Sequence, residues 1–354
     1  MGIENGKIRI KDVAKKAGVS TGTVDRVLHN RGEVKEETRK KVIDIIREMG
    51  YTPNLIAKSL ASKKLYRFAV IIPDANNYTP YWEKPLQGVL KAAEEIKDFN
   101  SIVDVHKFKG SDENSFRKVY AEVLKCNPDG VVFNPKHKKA SLDFVKLMDE
   151  ERIPYVYLDV DLASGNNIAF FGQNARQSGQ AAARLISNII PNGSEILIAK
   201  LAGKKLVSHH ITLREKGFID FFKNSNNCDC KFKSIDIDLS INTEPSLSLK
   251  KIFGEHHNIK AVFVPNSRVY RVAAFLKENN LQRTICLGYD LIQPNVEYLN
   301  LGVIDFLIGQ KPEDQGFNSI MALFNHLVLQ KKVNKLNYSQ IDIIIKENIA
   351  YYNL

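Results

Sequence analysis

Cysteine is scarce in this chain: Cys126, Cys228, Cys230 and Cys286 are the only four in 354 residues. Their spacing forms neither a disulfide framework nor a zinc-ligand set. The pair at 228 and 230 has no second ligand pair nearby, so free thiols in a reducing compartment are expected and a metal is not. Also missing is any apolar run near the roughly 20 residues that a membrane-spanning helix needs. The first residues are polar, with no apolar core ahead of Ile10, so a secretory leader is not expected and a cytoplasmic location is. Motif chemistry is thin as well: there is no G-x-S-x-G elbow, P-loop or H-E-x-x-H. His209 and His210 are adjacent, point in different directions, and suit ligand contact or solvent better than metal. Asp159 and Asp161 would share a face of an extended segment, but such a pair is ordinary in loops; neither an enzyme nor a cofactor is expected.

What is present begins with charge. The formal net charge is +11, and residues 1–64 carry 15 Lys and Arg against 8 Asp and Glu, which leaves +4 for the other 290 residues. A basic footprint gathered at one end suits phosphate binding. Within it, Ile10, Val13, Ala14 and Ala17 recur at helical spacing. Gly18 suits a left-handed C-cap, Val19 plugs the turn, and Ser20 is a good N-cap for a second helix. There Val24, Val27 and Leu28 face inward, leaving Thr21, Gly22, Asp25, Arg26 and His29 outward, the small or polar character that a DNA major groove admits. A third helix over 34–51 aligns Thr38, Val42, Ile45, Ile46 and Met49 and closes at Gly50. After it, Thr52 and Pro53 open a segment through Ala61 that is too short to be a stable helix alone.

The remaining chain, in a sequence that is 44% hydrophobic, has room for a two-lobed body. Expected strands at 68–73, 102–106, 130–133 and 155–158 alternate with helices ending at 96 and spanning 115–126 and 140–150. A second set starts at Ile168: 170–173 opens onto a helix through 190, then strands at 195–200, 233–238, 261–264 and 284–288 alternate with helices at 213–224, 247–254 and 269–279. Such alternation argues for doubly wound α/β lobes whose ligands bind beyond the carboxyl ends of the strands. At those ends stand Asp74 and Asn76, then Asn134, then Asp159, and in the second set Asn266 and Asp290. Amides and carboxylates there can serve several hydroxyls, Tyr81 or Trp82 can stack on a sugar ring, and Arg214 supplies a fork of donors.

The words KDVAKKAGVS, TVDRVLHNRGEV, TRKKV, MGYTPN and AKSLA, over Ile10 to Ala61, resemble the DNA-binding head and hinge of the lactose repressor (LacI/GalR) family of bacterial transcription regulators. VIIPDANN, YWEKPLQG, FFGQNARQSGQAAARLI, LREKGF, LGYD and IDFLIGQKPEDQGFNSI resemble its effector domain, which shares its fold with periplasmic sugar-binding proteins. The resemblance implies DNA contacts from Ser20, Thr21, Gly22, Thr23, Arg26, Asn30, Asn54, Ala57 and Leu60. Thr21, Gly22 and Arg26 would read bases, and Leu60 would wedge into the minor groove. It implies effector contacts from Arg214, Asn266, Asp290 and Gln310. Three positions depart from the family pattern. Asp25 and Lys35 each replace a usual serine, the latter offset by Glu36 and Glu37 at the helix start. Ser267 replaces a usual aspartate beside Asn266, which argues against an ordinary hexose as ligand.

The expected protein is therefore α/β: a three-helix helix-turn-helix head (1–51), a hinge helix and linker (52–65), and a periplasmic-binding-protein-like body (66–354) with two doubly wound parallel sheets. Lobe 1 is expected at about 66–163 and 291–330, and lobe 2 at about 164–290 and 331–354. The expected function is a transcription regulator, in the repressor sense, that binds a double-stranded operator as a homodimer. A sugar-like effector between the lobes would control it. Helix residues 86–93 are the expected dimer face, and no membrane partner is expected. The alternative, a sugar-binding receptor with no DNA role, predicts a leader and no basic head.

Overall fold

The computed structural model describes residues 8–28, 32–51, 64–75, 80–202, 209–224, 229–238 and 245–352. The chain divides into two compact units, Met1–Ser62 and Lys63–Leu354.

The first unit holds α1 (Ile10–Ala17), α2 (Thr21–Leu28) and α3 (Glu36–Met49). Val13, Ala14, Ala17, Val24, Val27 and Val42 form its core, with Ile45, Ile46 and Met49 packed at the edge. Thr38 is only half-buried. Gly18 takes φ 68°, and the N–H of Val19 reaches back to the Ala14 carbonyl at 3.1 Å. The same device ends α3, where Gly50 has φ 63° and Tyr51 N–H reaches Ile46 O at 3.0 Å. Left-handed glycines at both sites satisfy carbonyls that the helix leaves open. Ser20 caps α2, its Oγ accepting the Thr23 N–H at 3.1 Å. Lys35 gives α3 no side-chain cap, and Glu36 and Glu37 occupy the first turn. The hinge expected at 52–65 lies outside the described residues except for its last two positions.

The second unit runs β1 (Tyr66–Pro73), α4 (Glu83–Ile96), β2 (Ser101–Phe108), α5 (Glu113–Lys125), β3 (Gly130–Phe133), α6 (Lys138–Glu150), β4 (Tyr155–Leu158) and β5 (Ala169–Gln173). It continues with α7 (Ala175–Ser187), β6 (Glu195–Ala202), α8 (His209–Asn224), β7 (Lys231–Asp238), α9 (Pro245–Glu255), β8 (Ile259–Phe263), α10 (Val269–Glu278) and β9 (Ile285–Tyr289). Last come α11 (Gln293–Asn300), β10 (Phe306–Gly309), α12 (Pro312–Leu327), β11 (Leu336–Ser339) and β12 (Asp342–Ile344). Two six-stranded sheets share one plan, β11-β5-β4-β3-β1-β2 and β12-β10-β9-β8-β6-β7. All neighbours are parallel except β10 and β12, which run antiparallel. Alternate residues of β6 serve opposite faces: Leu197, Ala199 and Leu201 enter one core, Ile196 and Ile198 another. That is the period of two of a strand covered on both sides.

The lobe boundaries differ from the expected ones. β5 pairs with β4 and so belongs to the first sheet, as does β11, whereas β10 pairs with β9 in the second. Residues 169–173 and 336–339 thus sit in lobe 1, and 293–309 in lobe 2. Sheet membership depends on which strand edge is open, and no local pattern reports it. The chain crosses between lobes after β5, β10 and β11. Gln173 ties the three crossings together, its Nε2 donating to Gly309 O at 2.9 Å and Gln340 O at 3.1 Å.

After the first two crossings the new helix packs on the first helix of the receiving lobe, α7 on α8 and α12 on α4, through glycines. A Cβ on Gly179 would lie 2.0 Å from Arg214 O, and one on Gly217 2.0 Å from Arg176 O. In the other lobe, Gly88 faces Glu313 O at 1.9 Å and Gly316 faces Pro85 O at 2.1 Å. One cysteine expectation fails: Cys126 and Cys286 are free thiols, but Cys230 is disulfide-bonded. A search for framework spacings does not register a lone bridge.

Candidate functional site

In the first unit, Ser20, Thr21, Gly22 and Arg26 are exposed and Thr23 is half-buried, while Val24 and Val27 are buried beneath them. Capping and packing fix this face. Thr23 Oγ1 lies 3.0 Å from Ser20 Oγ, and Arg26 Nε donates to Gly22 O at 3.3 Å, laying the guanidinium along the helix. Asp25 is half-buried and turned toward Tyr51, whose hydroxyl pKa it helps to raise after burial. The expected DNA contacts Asn30, Asn54, Ala57 and Leu60 lie outside the described residues, as does the expected effector contact Asn76.

In the second unit the strand ends of the two lobes converge on one seam. Asp159 follows β4 and Asp290 follows β9, and both take left-handed backbone, φ 69° and 71°. Their N–H groups are held alike, to Phe171 O at 2.7 Å and Ile308 O at 3.0 Å. On the lobe 1 side, Tyr81 Oη donates to Asp159 Oδ1 at 3.0 Å. Asn134 Nδ2 donates to Leu158 O at 3.0 Å and to Asp159 Oδ2 at 3.3 Å. Trp82 is buried edge-on against Tyr81, with ring centroids 5.3 Å apart.

On the lobe 2 side, Arg214 is 3% exposed, so its charge depends on what it meets inside. One terminal nitrogen donates to Pro265 O at 3.1 Å, the other to Gln310 Oε1 at 2.8 Å, and the guanidinium lies 3.7 Å from the Tyr289 ring centroid. Gln310 Nε2 donates in turn to Asp290 Oδ1 at 2.5 Å. Asn266 is largely committed, its Nδ2 donating to Leu201 O at 2.8 Å and its Oδ1 accepting the Arg268 N–H at 3.1 Å.

Burial pushes the Asp290 carboxyl up to about 6, against the opposing pull of Arg214 and Gln310. It also raises Asp159, again opposed by Arg214 and then by Tyr81. That Arg214 of one lobe acts on Asp159 of the other places both in one electrostatic site. Among the described residues, Asn134 Oδ1 and Arg214 Nε are buried without a hydrogen-bond partner. Unmet groups of this kind cost stability and mark where a polar ligand would gain most. Asp74 stands apart: it is exposed and pairs with Lys107 at 3.7 Å.

Several members of the seam went unread in the sequence. Asn295, fully buried, donates to the carbonyls of Ser267, Tyr289 and Asp290 at 2.9–3.0 Å and accepts the Tyr270 N–H, fixing the turn that carries Asp290. Lys136 and Arg268 are half-buried, and His210 is held neutral by burial and by Arg214. For Lys136 and Arg268 the available signal was position, since each closely follows a strand's carboxyl end.

A head with a presented second helix and a two-lobed body with a polar seam define a two-part binding protein. Residues 9–54 match the bacterial regulatory proteins of the lacI family, and residues 68–332 match the periplasmic binding protein domain. A candidate LacI transcriptional regulator from Bacteroides fragilis, known from a crystal structure, is 34% identical, with a TM-score of 0.77 over 82% of this chain and 100% of that one. The chain belongs to the LacI family of bacterial regulatory proteins. The HTH-type transcriptional regulator RegA of Clostridium saccharobutylicum is 36% identical over 124 residues, 35% of this chain and 36% of that protein. The match thus spans about a third of that relative's length. GanP, a glucose-galactose binding protein from Geobacillus stearothermophilus, shares the fold at 19% identity and a TM-score of 0.71, over 81% of this chain and 99% of its own. These relatives are transcription regulators and sugar-binding proteins rather than enzymes. Among the described residues no helix is long and apolar enough to cross a membrane.

Proposed function

We propose that this chain is a sequence-specific DNA-binding transcription regulator whose operator affinity is controlled by a small polar ligand held between its two lobes. The observation that carries the reading is the head. A capped second helix buries Val24 and Val27 and presents Thr21, Gly22 and Arg26 on a unit, Met1–Ser62, that carries 13 Lys and Arg against 8 Asp and Glu, or +5 of the chain's +11. Small and basic residues at the start of such a helix suit a major groove. Two copies would read two half-sites, since operator symmetry mirrors protein symmetry. On this reading the protein works in the cytoplasm, where the DNA is, carries no catalytic role, and uses Asn54 and Ala57 as further DNA contacts and Leu60 as a minor-groove wedge.

The ligand reading rests on the seam, where carboxylates, amides and a buried guanidinium suit a polyhydroxylated molecule such as a sugar derivative. Ligand binding that favours one arrangement of the lobes shifts the population competent for DNA. Repression is the expected sense.

The test is selection of duplexes from a random library by the full-length chain, followed by fluorescence anisotropy across salt concentrations. A selected palindrome whose binding weakens steeply with salt, and by about 1–3 kcal/mol on Arg26→Ala, supports the reading. Failure to enrich any sequence, or binding indifferent to both salt and Arg26→Ala, overturns it.

A further inference from the structure

The two lobes differ in charge at one of the strand-end positions where their shared register calls for a match. Phe133 pairs beside Ile71 at the end of β3, and Phe263 beside Ile198 at the end of β8. Counting on from these, Pro135 corresponds to Pro265 and Lys136 to Asn266. An uncharged amide in lobe 2 is thus mirrored by an ammonium in lobe 1. Lys136 Nζ sits over the carboxyl ends of β1 and β2, 3.0 Å from where a Cβ on Gly110 would lie. The Arg268 guanidinium is anchored at the corresponding end of the other sheet, donating to Leu201 O, the carboxyl-end neighbourhood of β6, at 2.9 Å.

The charge of Arg268 reaches Lys136: burial and then Arg268 lower the Lys136 pKa to about 8, while the Arg268 guanidinium is itself lowered chiefly by burial. Asp159 raises it again, but that carboxylate already accepts hydrogen bonds from Tyr81 and Asn134, and Asp290 accepts one from Gln310. Among the described residues neither Lys136 nor Arg268 makes an ion pair, and Lys136 makes no side-chain hydrogen bond. Lys136 is thus a half-buried ammonium repelled by Arg268 and acted on only by a carboxylate that is already committed, and an anion placed beside it would offset that cost.

We infer that the seam takes a polyhydroxylated ligand bearing an anionic group, a carboxylate or a phosphate, and that this group is held between Lys136 and Arg268. The inference rests on the ligand site proposed above. Asp159, Asp290, Arg214 and Asn134 would then serve the hydroxyls, while the lysine and arginine select charge.

The experiment uses the full-length chain at constant ionic strength and matched ligand sets: glucose, galactose and ribose; glucuronate and galacturonate; glucose 6-phosphate and ribose 5-phosphate. Calorimetry gives affinity, and emission from Trp82, the single tryptophan, reports on the seam. The expected result is at least tenfold tighter binding of a uronate or a phosphate ester than of its neutral parent. Lys136→Met and Arg268→Gln should each collapse that ratio toward one, with circular dichroism showing the variants folded. Preference confined to the uronates assigns a carboxylate, and preference confined to the esters a phosphate. Equal binding of neutral and charged members, or a ratio unchanged in both variants, overturns the anion assignment and leaves the ligand site standing. No binding by any member overturns both.

Discussion

The two lobes have the same strand order, the same glycine-mediated helix crossing and the same left-handed aspartate after the fourth strand of the set, yet their seam chemistry differs. Lobe 2 carries a bonded relay from Arg214 through Gln310 to Asp290. Lobe 1 offers Tyr81, Asn134 and Asp159, with Lys136 beyond them. The repeated features all shape backbone, and the divergent ones are all side chains at strand ends. A duplicated scaffold thus fixes where ligand groups stand, and the residue types decide what they recognise.

The glycine crossings test the repeated part. Gly179→Ala or Gly217→Ala in one lobe, and Gly88→Ala or Gly316→Ala in the other, each drive a methyl into a helix backbone. Each should destabilise the body by about 3 kcal/mol or more in urea unfolding. Similar losses in both lobes support the equivalence, and a loss confined to one lobe breaks it.

Protonation probes the divergent part. Asp290 keeps its proton up to about pH 6 when folded, whereas its ordinary value is 3.8. Between those values the folded chain holds more protons than the unfolded one, so stability falls as pH rises from about 4 to 6, by about 2–3 kcal/mol. Asp290→Asn should shrink that slope in a series of unfolding curves, leaving the part of the same sign that the raised Asp159 contributes.

Ion pairs give the smallest contrast. Glu215 in lobe 2 is largely buried and holds Lys200 at 3.0 Å and Ser234 at 2.7 Å. In lobe 1, Asp104 and Arg67 pair at 2.9 Å with both side chains 41% exposed. Glu215→Ala should cost about 2 kcal/mol, and Asp104→Ala less than about 1 kcal/mol, by chemical unfolding. Equal costs would mean that burial does not separate the two pairs.

Much of this was legible in the sequence where the physics is local. The head needed only helical periodicity, Gly18, Ser20 and Gly50, all decided within a few residues, and the structure uses each as expected. Strand-end positions were legible too, and gave Asn134, Asp159 and Asp290; Tyr81 was read as a loop aromatic, Arg214 as a fork of donors on a helix, and Gln310 only through the family resemblance. Asp74 satisfies the same rule, yet it stands exposed beside Lys107, because position at a strand end does not report burial. β10, β11, β12, α11 and α12 were not assigned as elements, and the crossings were misjudged, because pairing between residues as distant as Phe170 and Leu336 leaves no local trace. Lys136 and Arg268 went unread for a related reason: position after a strand was the only local signal, and the effect of one charge on the other depends on how the lobes meet.

The central claim is that what the lobes bind governs what the head binds. Its most direct test is the operator affinity of the full-length chain, by fluorescence anisotropy, with and without each neutral sugar, uronate and sugar phosphate that binds the protein. One class is predicted to change the apparent Kd at least fivefold, in the range of ordinary allosteric coupling, with the change abolished by Arg214→Met. An operator affinity unmoved by every ligand that binds would contradict the account.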